Sequence, residues 1–168
     1  MTPKTIRDLF IEELRDTYSS ETQTAANLEK MIEAATSPQL KQLFKTHQQE
    51  SRQHLDRLKQ AFQMLKSSPE GNFCEATEGL VKEAQEVMGE GMSGELLDVA
   101  LVMAAQKVEH YEIASYGSLH AVALSCGLND VAKLLEQTLA EEKTTDGKLT
   151  QIAETEINKI AASKAKAA

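Results

Sequence analysis

Long runs of apolar residues at three- and four-residue steps constrain this chain more than any other feature. They break at four places only: Ser37-Pro38, the stretch Ser67-Ser68-Pro69-Glu70-Gly71-Asn72, the cluster Gly89, Gly91 and Gly94, and Gly127. Between about Thr5 and Ala35 the residues Leu9, Leu14, Tyr18, Ala25, Leu28 and Ile32 draw one stripe along a helix. Proline disfavours helix at the residue before it yet suits a first turn, so Ser37-Pro38 ends one helix and opens the next, capped by Ser37 and running to about Lys66. Glu75 to Met88 reads as a short amphipathic helix. A third long helix runs from Leu96 to Ser125 with Ser93 as its cap. A fourth starts at Asn129, read as its cap, and continues to about Ala161 before a frayed Ala/Lys tail from about residue 162.

The connections set the architecture. Short turns at Pro38 and Gly127 force each pair of long helices to lie antiparallel, and the longer connection between pairs carries the short helix. The expected fold is therefore all-α: a ferritin-like four-helix bundle of two antiparallel helical hairpins joined by a crossover containing a short helix, with residues 1–168 in one domain. The first and third long helices are expected to run parallel.

Composition narrows the function. Eighteen Lys and Arg against 26 Asp and Glu give a formal charge of −8, the wrong sign for a surface that tracks phosphates, so no nucleic-acid partner is expected. The most apolar stretch, Leu96 to Ala105, contains Asp98 and falls well short of the ~20 residues that span a bilayer. No membrane span and no signal-peptide core is read, which points to the cytoplasm. Cys74 and Cys126 stand apart from any CxxC pattern and read as ordinary reduced thiols.

Acids stand where apolar residues belong. The inward run of the first helix reads Leu14, Tyr18, Glu21, Ala25, Leu28, and that of the second Leu43, His47, Glu50, His54, Leu58. The third reads Ala105, Val108, Glu112, Ser115, Leu119, and the fourth Leu135, Leu139, Glu142, Asp146, Leu149. The two hairpins repeat one another: Leu43 to Leu135, Glu50 to Glu142 and His54 to Asp146 are each 92 residues apart, and Glu21 to Glu112 is 91. Glu109 rivals Glu112, and only the repeat offset favours the latter. His47 falls one turn from the matched set and reads as a packing or supporting histidine. Tyr18 and Tyr116 lie one turn from Glu21 and Glu112, where either hydroxyl can bond a carboxylate or simply pack. Glu21, Glu50, Glu112, Glu142 and Asp146 together would bury five negative charges. Each uncompensated ion costs several kcal/mol. Two divalent cations about 3.5–4 Å apart would cancel most of that charge, and carboxylates with His54 suit iron or manganese, with zinc as a further candidate.

The stretches Asp16-Thr-Tyr-Ser-Ser-Glu21, Gln106-Lys-Val-Glu109-His-Tyr-Glu112-Ile-Ala-Ser-Tyr116-Gly117 and Glu141-Glu142-Lys-Thr-Thr-Asp146 resemble the bacterial YciE/YciF family over nearly the whole chain. That family falls among the ferritin-like di-metal carboxylate proteins. The resemblance implies a homodimer, a di-iron-type centre and a role in stress response. One departure stands out: ferritin-like sites use Glu-x-x-His on the second helix of each pair, whereas this chain has Glu50-x-x-x-His54 and Glu142-x-x-x-Asp146.

Two functions follow as expectations. In the first, a di-metal centre in a dry interior passes electrons to dioxygen or peroxide, making the protein an oxidoreductase or metal handler in oxidative or osmotic stress. In the second, a stress-induced dimer serves as a structural or interaction protein whose metal site is vestigial or structural. A storage cage is disfavoured, because the tail after Ala161 is too short for a fifth helix. Ile6 and Phe10 are the N-terminal apolar residues expected to meet a second copy.

Overall fold

The computed structural model describes residues 2–71, 73–92 and 94–165, omitting the side chain of residue 165. Helix α1 (Ile6–Ala34) opens on a reciprocal cap, in which Thr5 Oγ1 accepts from the Asp8 N–H at 3.1 Å and the Asp8 carboxylate accepts from the Thr5 N–H at 3.0 Å. Ser37 caps α2 (Pro38–Leu65), accepting from the Leu40 N–H at 3.3 Å, and Lys66 ends that helix in the left-handed region at φ 54°. The crossover helix α3 spans Glu75–Gly89, α4 spans Gly94–Ser125 and α5 spans Asn129–Ile152. Gly127, at φ 70°, makes the turn between the last two.

Three boundaries depart from the sequence reading. Asn129 is the first helical residue rather than the cap; Leu128 takes that place and offers no side-chain bond. The last helix is not continuous, because a π-helical turn at Ala153–Ile157 separates α5 from α6 (Asn158–Ala165). The wider turn keeps Leu149, Ala153 and Ile157, spaced by four, all buried. The chain is still helical past residue 162. Residues 166–168 of the expected tail, and Ser93, the expected cap of α4, lie outside the described residues.

The long helices form a four-helix bundle in which α1 packs on α2 and α4, and α5 packs on α2 and α4, with α3 laid over α1 and α4. Helices α1 and α4 are antiparallel, not parallel as expected. Phe10 and Leu14, near the start of α1, share an apolar cluster with Leu119 and Ala123 from the end of α4. Leu28 and Met31, near the end of α1, share the other cluster with Leu97 and Leu101. The reason is that α3 travels down the bundle, so α4 enters from the end opposite to where α2 leaves. Phe10 is itself buried at one of these ends, so of the two N-terminal residues only Ile6 is exposed.

A buried acid pins this arrangement. Asp98 of α4 accepts from the Thr36 N–H at 2.7 Å, the Thr36 hydroxyl at 2.6 Å and the Ser37 N–H at 2.8 Å. It thereby satisfies the backbone of the α1–α2 turn, which the turn's own residues leave open. Between the two apolar clusters lies a polar layer at mid-height. No described helix is long and apolar enough to cross a membrane.

Candidate metal centre

Each long helix sends polar side chains into that middle layer. Helix α1 contributes Glu21 and Thr24, and α2 contributes His47, Ser51 and His54 at steps of four and three. Glu109 and Glu112 come from α4, three residues apart and so on one face, and Thr138, Glu142 and Thr145 come from α5. All are buried.

The ionisable members form two groups whose ligand atoms lie within 4.8 Å of one another: His47, Glu109, Glu112 and Glu142 in one, and Glu21, His54 and Glu142 in the other. Glu142 belongs to both. His47 Nε2 is 3.0 Å from Glu109 Oε1 and 3.9 Å from Glu142 Oε2. His54 Nδ1 is 3.0 Å from Glu21 Oε1 and 2.9 Å from Glu142 Oε1. A ring N–H aligns with one acceptor at a time, and here only the Glu21 contact has hydrogen-bond alignment.

Partners outside the groups fix these side chains. Glu141 takes the outer nitrogen of His54, Nε2 to Oε2 at 2.9 Å, and Arg57 clamps Glu141 through both guanidinium nitrogens. Tyr116 donates its hydroxyl to Glu21 Oε1 at 2.7 Å, and Thr24 donates to Glu112 Oε1 at 3.0 Å. The outer nitrogen of His47 has a looser neighbour, Glu50 Oε2 at 3.7 Å.

Of the residues read as ligands from the sequence, the fold brings together Glu21, His54, Glu112 and Glu142, and leaves Glu50 and Asp146 outside both groups. Glu50 is half-buried and accepts from the Thr145 hydroxyl at 3.3 Å, while Asp146 accepts from Gln106 at 3.3 Å. The reason is rotational. The buried face of α2 runs through Leu40, Phe44, His47, Ser51, His54 and Leu58, and Glu50 sits about 80° from its centre. On α5, Asp146 sits about 50° from the centre of the line through Leu135, Thr138, Glu142 and Leu149. A stripe drawn through half-buried Leu43 and Leu139 turned both faces. His47 lies on that stripe too, read as a packing or supporting residue because it falls one turn from the matched repeat; the structure puts it in a donor group. Glu109 and Glu112, held as rivals, are both present. Tyr116 bonds a site carboxylate, whereas Tyr18 packs edge-on against Phe62.

Electrostatics follow from burial. Desolvation raises the carboxyl groups of Glu21, Glu112 and Glu142 above their ordinary range, and for Glu112 the neighbouring Glu21, Glu142 and Glu109 push further. Burial alone would depress the histidines, but carboxylates outweigh it: Glu109 raises His47 strongly, and Glu142 with Glu21 raises His54 to about 10. In the metal-free protein, then, protons shared among acids and histidines balance the layer. Several carboxylate oxygens, Glu21 Oε2, Glu109 Oε2, Glu112 Oε2 and Glu142 Oε2, still have no hydrogen-bond partner, and neither ring nitrogen of His47 has an aligned one. A donor set of four buried carboxylates and two imidazoles fits a pair of divalent cations.

Fold and site together define a ferritin-like helical bundle with a buried carboxylate–histidine centre. Residues 5–162 match a family model described as a domain of unknown function (DUF892). The chain is 45% identical over 166 residues to Protein YciF of Escherichia coli K12, covering 98% of this chain and all of that one. It superposes on the crystal structure of the E. coli stress protein YciF with a TM-score of 0.90 at 44% identity, over 94% of this chain and 99% of that one. A candidate structural protein from Rhodopseudomonas palustris gives 0.85 at 44% identity, over 88% of this chain and 94% of that one. A Xanthomonas campestris protein at 20% identity shares the fold, with a TM-score of 0.76 over 95% of this chain and 99% of that one. The chain belongs to the YciE/YciF family.

Proposed function

We propose that this chain holds two divalent cations, iron first, with manganese or zinc as alternatives, and acts as a redox or metal-handling protein in stress defence. The observation that supports it is the set of buried donor atoms without partners in the middle layer. Cations there would give those atoms partners and take the place of the protons that balance the layer in the metal-free protein. His47, Glu109 and Glu112 would hold one cation and Glu21 with His54 the other, with Glu142 serving both. A pair of iron or manganese ions held there would supply electron transfer to a small oxidant. The chain's own contributions are to hold the imidazoles and carboxylates in place through Glu141, Arg57, Tyr116 and Thr24, and to exclude bulk water by the apolar clusters above and below.

Elemental analysis of protein purified without added metal should give close to two cations per chain, and Glu142→Ala should lose both. Little metal in the native protein would sink this reading and favour the other one, a stress-induced structural or interaction protein, which the description of the R. palustris relative supports. The proposal includes a homodimer, with exposed Ile6 at the contact. Light scattering should give twice the mass of one chain, and a single-chain mass at micromolar concentration would remove that part.

A further inference from the structure

Each histidine of the middle layer touches one carboxylate that also reaches solvent, and the two carboxylates are not alike. Both lie on the seam between α2 and α5, on the side of the bundle away from the crossover helix, which covers α1 and α4. The apolar clusters close the bundle above and below the layer. At one level of the seam His54 Nε2 meets Glu141 Oε2 at 2.9 Å, and the Glu141 side chain is 27% exposed. Further along, His47 Nδ1 faces Glu50 Oε2 at 3.7 Å, and the Glu50 side chain is 24% exposed.

This similar exposure hides opposite states. Both oxygens of Glu141 are taken, since Arg57 holds Oε1 at 2.8 Å and shares Oε2 with His54. A guanidinium keeps its charge throughout, so Arg57 both occupies the carboxylate and repels cations at that mouth. Glu50 has no such clamp. Its Oε2 accepts from the Thr145 hydroxyl at 3.3 Å, and its Oε1 bonds to none of the described residues. Lys148, whose charge reaches Glu50, is exposed and forms no ion pair with it. Behind Glu50 the His47 side chain is only 2% exposed, and its Nδ1 has no aligned partner. A half-exposed carboxylate thus leads to an unpaired buried nitrogen. On the far side of the same ring, Glu109 and Glu142 stand 3.0 and 3.9 Å from Nε2.

We propose that Glu50 is the entry ligand of the metal centre: it takes a hydrated divalent cation from solvent and passes it by His47 into the group formed with Glu109, Glu112 and Glu142. The inference rests on the metal-centre reading and adds a route and an order to it. The His47 group fills first, and the His54 group, whose own mouth Arg57 shuts, fills by way of the shared Glu142. Shedding water is the costly part of moving an ion into a dry interior, and a half-exposed carboxylate replaces part of the hydration shell before the ion leaves solvent. Its negative charge also concentrates cations at the mouth.

A route and a ligand differ in what they change. A residue on the route alters uptake and release by one factor and leaves the equilibrium where it was, whereas a ligand to the stored ion shifts the equilibrium. The experiment mixes the metal-free full chain with cobalt(II), follows uptake by absorbance, and then follows release into a chelator. Glu50→Gln keeps the size of the side chain and loses its charge; it should slow uptake and release alike by about tenfold, while binding as much cobalt at saturation as the native chain. Glu50→Asp, which restores the charge, should recover most of both rates. Rates unchanged in Glu50→Gln would overturn the proposal, because the ions then enter elsewhere. So would faster release with uptake unchanged, which would make Glu50 a ligand to the stored ion. Failure of the metal reading shows separately, as a native chain that takes up no cobalt, and that result overturns the entry route with it.

Discussion

The two donor groups share Glu142 but differ in what stands behind their histidines. His54 is held from outside by a charged pair, Glu141 clamped by Arg57, which takes its Nε2 and leaves Nδ1 facing Glu21 and Glu142. His47 has only Glu50 behind it, at 3.7 Å, yet it faces three carboxylates rather than two. One group is thus richer in donors and the other better anchored. Two hairpins that match in sequence thus present an unequal pair of donor groups. Helix α2 supplies both histidines, while α4 and α5 supply three of the four acids.

That inequality can be broken directly. Glu109→Ala removes a donor from the His47 group alone, and metal content should drop from two per chain to one, whereas Arg57→Ala should leave both sites in place and weaken one. The expected loss for Arg57→Ala is about 10–100-fold in affinity, the usual cost of removing a group that orients a ligating histidine. A cobalt titration with two resolved phases reads both variants; equal weakening of the two phases by Arg57→Ala would show that the clamp acts on the whole bundle and not on His54.

The smallest effect concerns protons and treats both groups alike. His54 in the metal-free fold is raised from an ordinary 6.5 to about 10, so its stabilisation is complete below pH 6.5 and is lost as pH rises through 10. Glu112 and Glu142, raised by burial, favour their neutral forms, and ionising them above their ordinary 4.5 also penalises the fold. Both signs agree. Metal-free protein should therefore melt lower at pH 10 than at pH 6.5, at about 2–4 °C per kcal/mol for a chain of this size. Cation loading, which displaces these protons, should flatten the slope. A metal-free melting temperature that rises with pH would show that the histidines are neutral in the fold.

The hairpins, their breaks and the crossover helix were readable because Pro38, Gly127 and the loop around Pro69 act locally, through backbone geometry alone. Glu21, His54, Glu112 and Glu142 were readable because a charged residue in the middle of an apolar stripe is costly enough to need a reason. The direction of α4 was not, since it depends on how far the crossover travels and no local signal records that. Glu50 was misplaced through rotation, since residues one apart on a helix differ by about 100° and Leu43 and Phe44 are both apolar, whereas His47 was set aside because it falls one turn from the matched repeat. The partnership of Glu141 with Arg57 spans 84 residues and joins two half-buried charges that sequence alone reads as surface. The cap that Asp98 places on the α1–α2 turn is equally non-local, and its only trace in the sequence is an acid inside the most apolar stretch of the chain.

With a cation in each group, a carboxylate that belongs to both would make the two positions one linked equilibrium. Whatever the first cation does to Glu142, drawing its charge or turning its oxygens, changes the affinity met by the second, and reciprocity requires the same factor whichever position fills first. If the first ion depletes the charge that the second needs, half-filled chains accumulate; if it aligns the second oxygen, chains fill in pairs and half-filled ones are rare. The abundance of singly loaded chains at one cation per chain therefore measures the sign of the coupling carried by a single side chain.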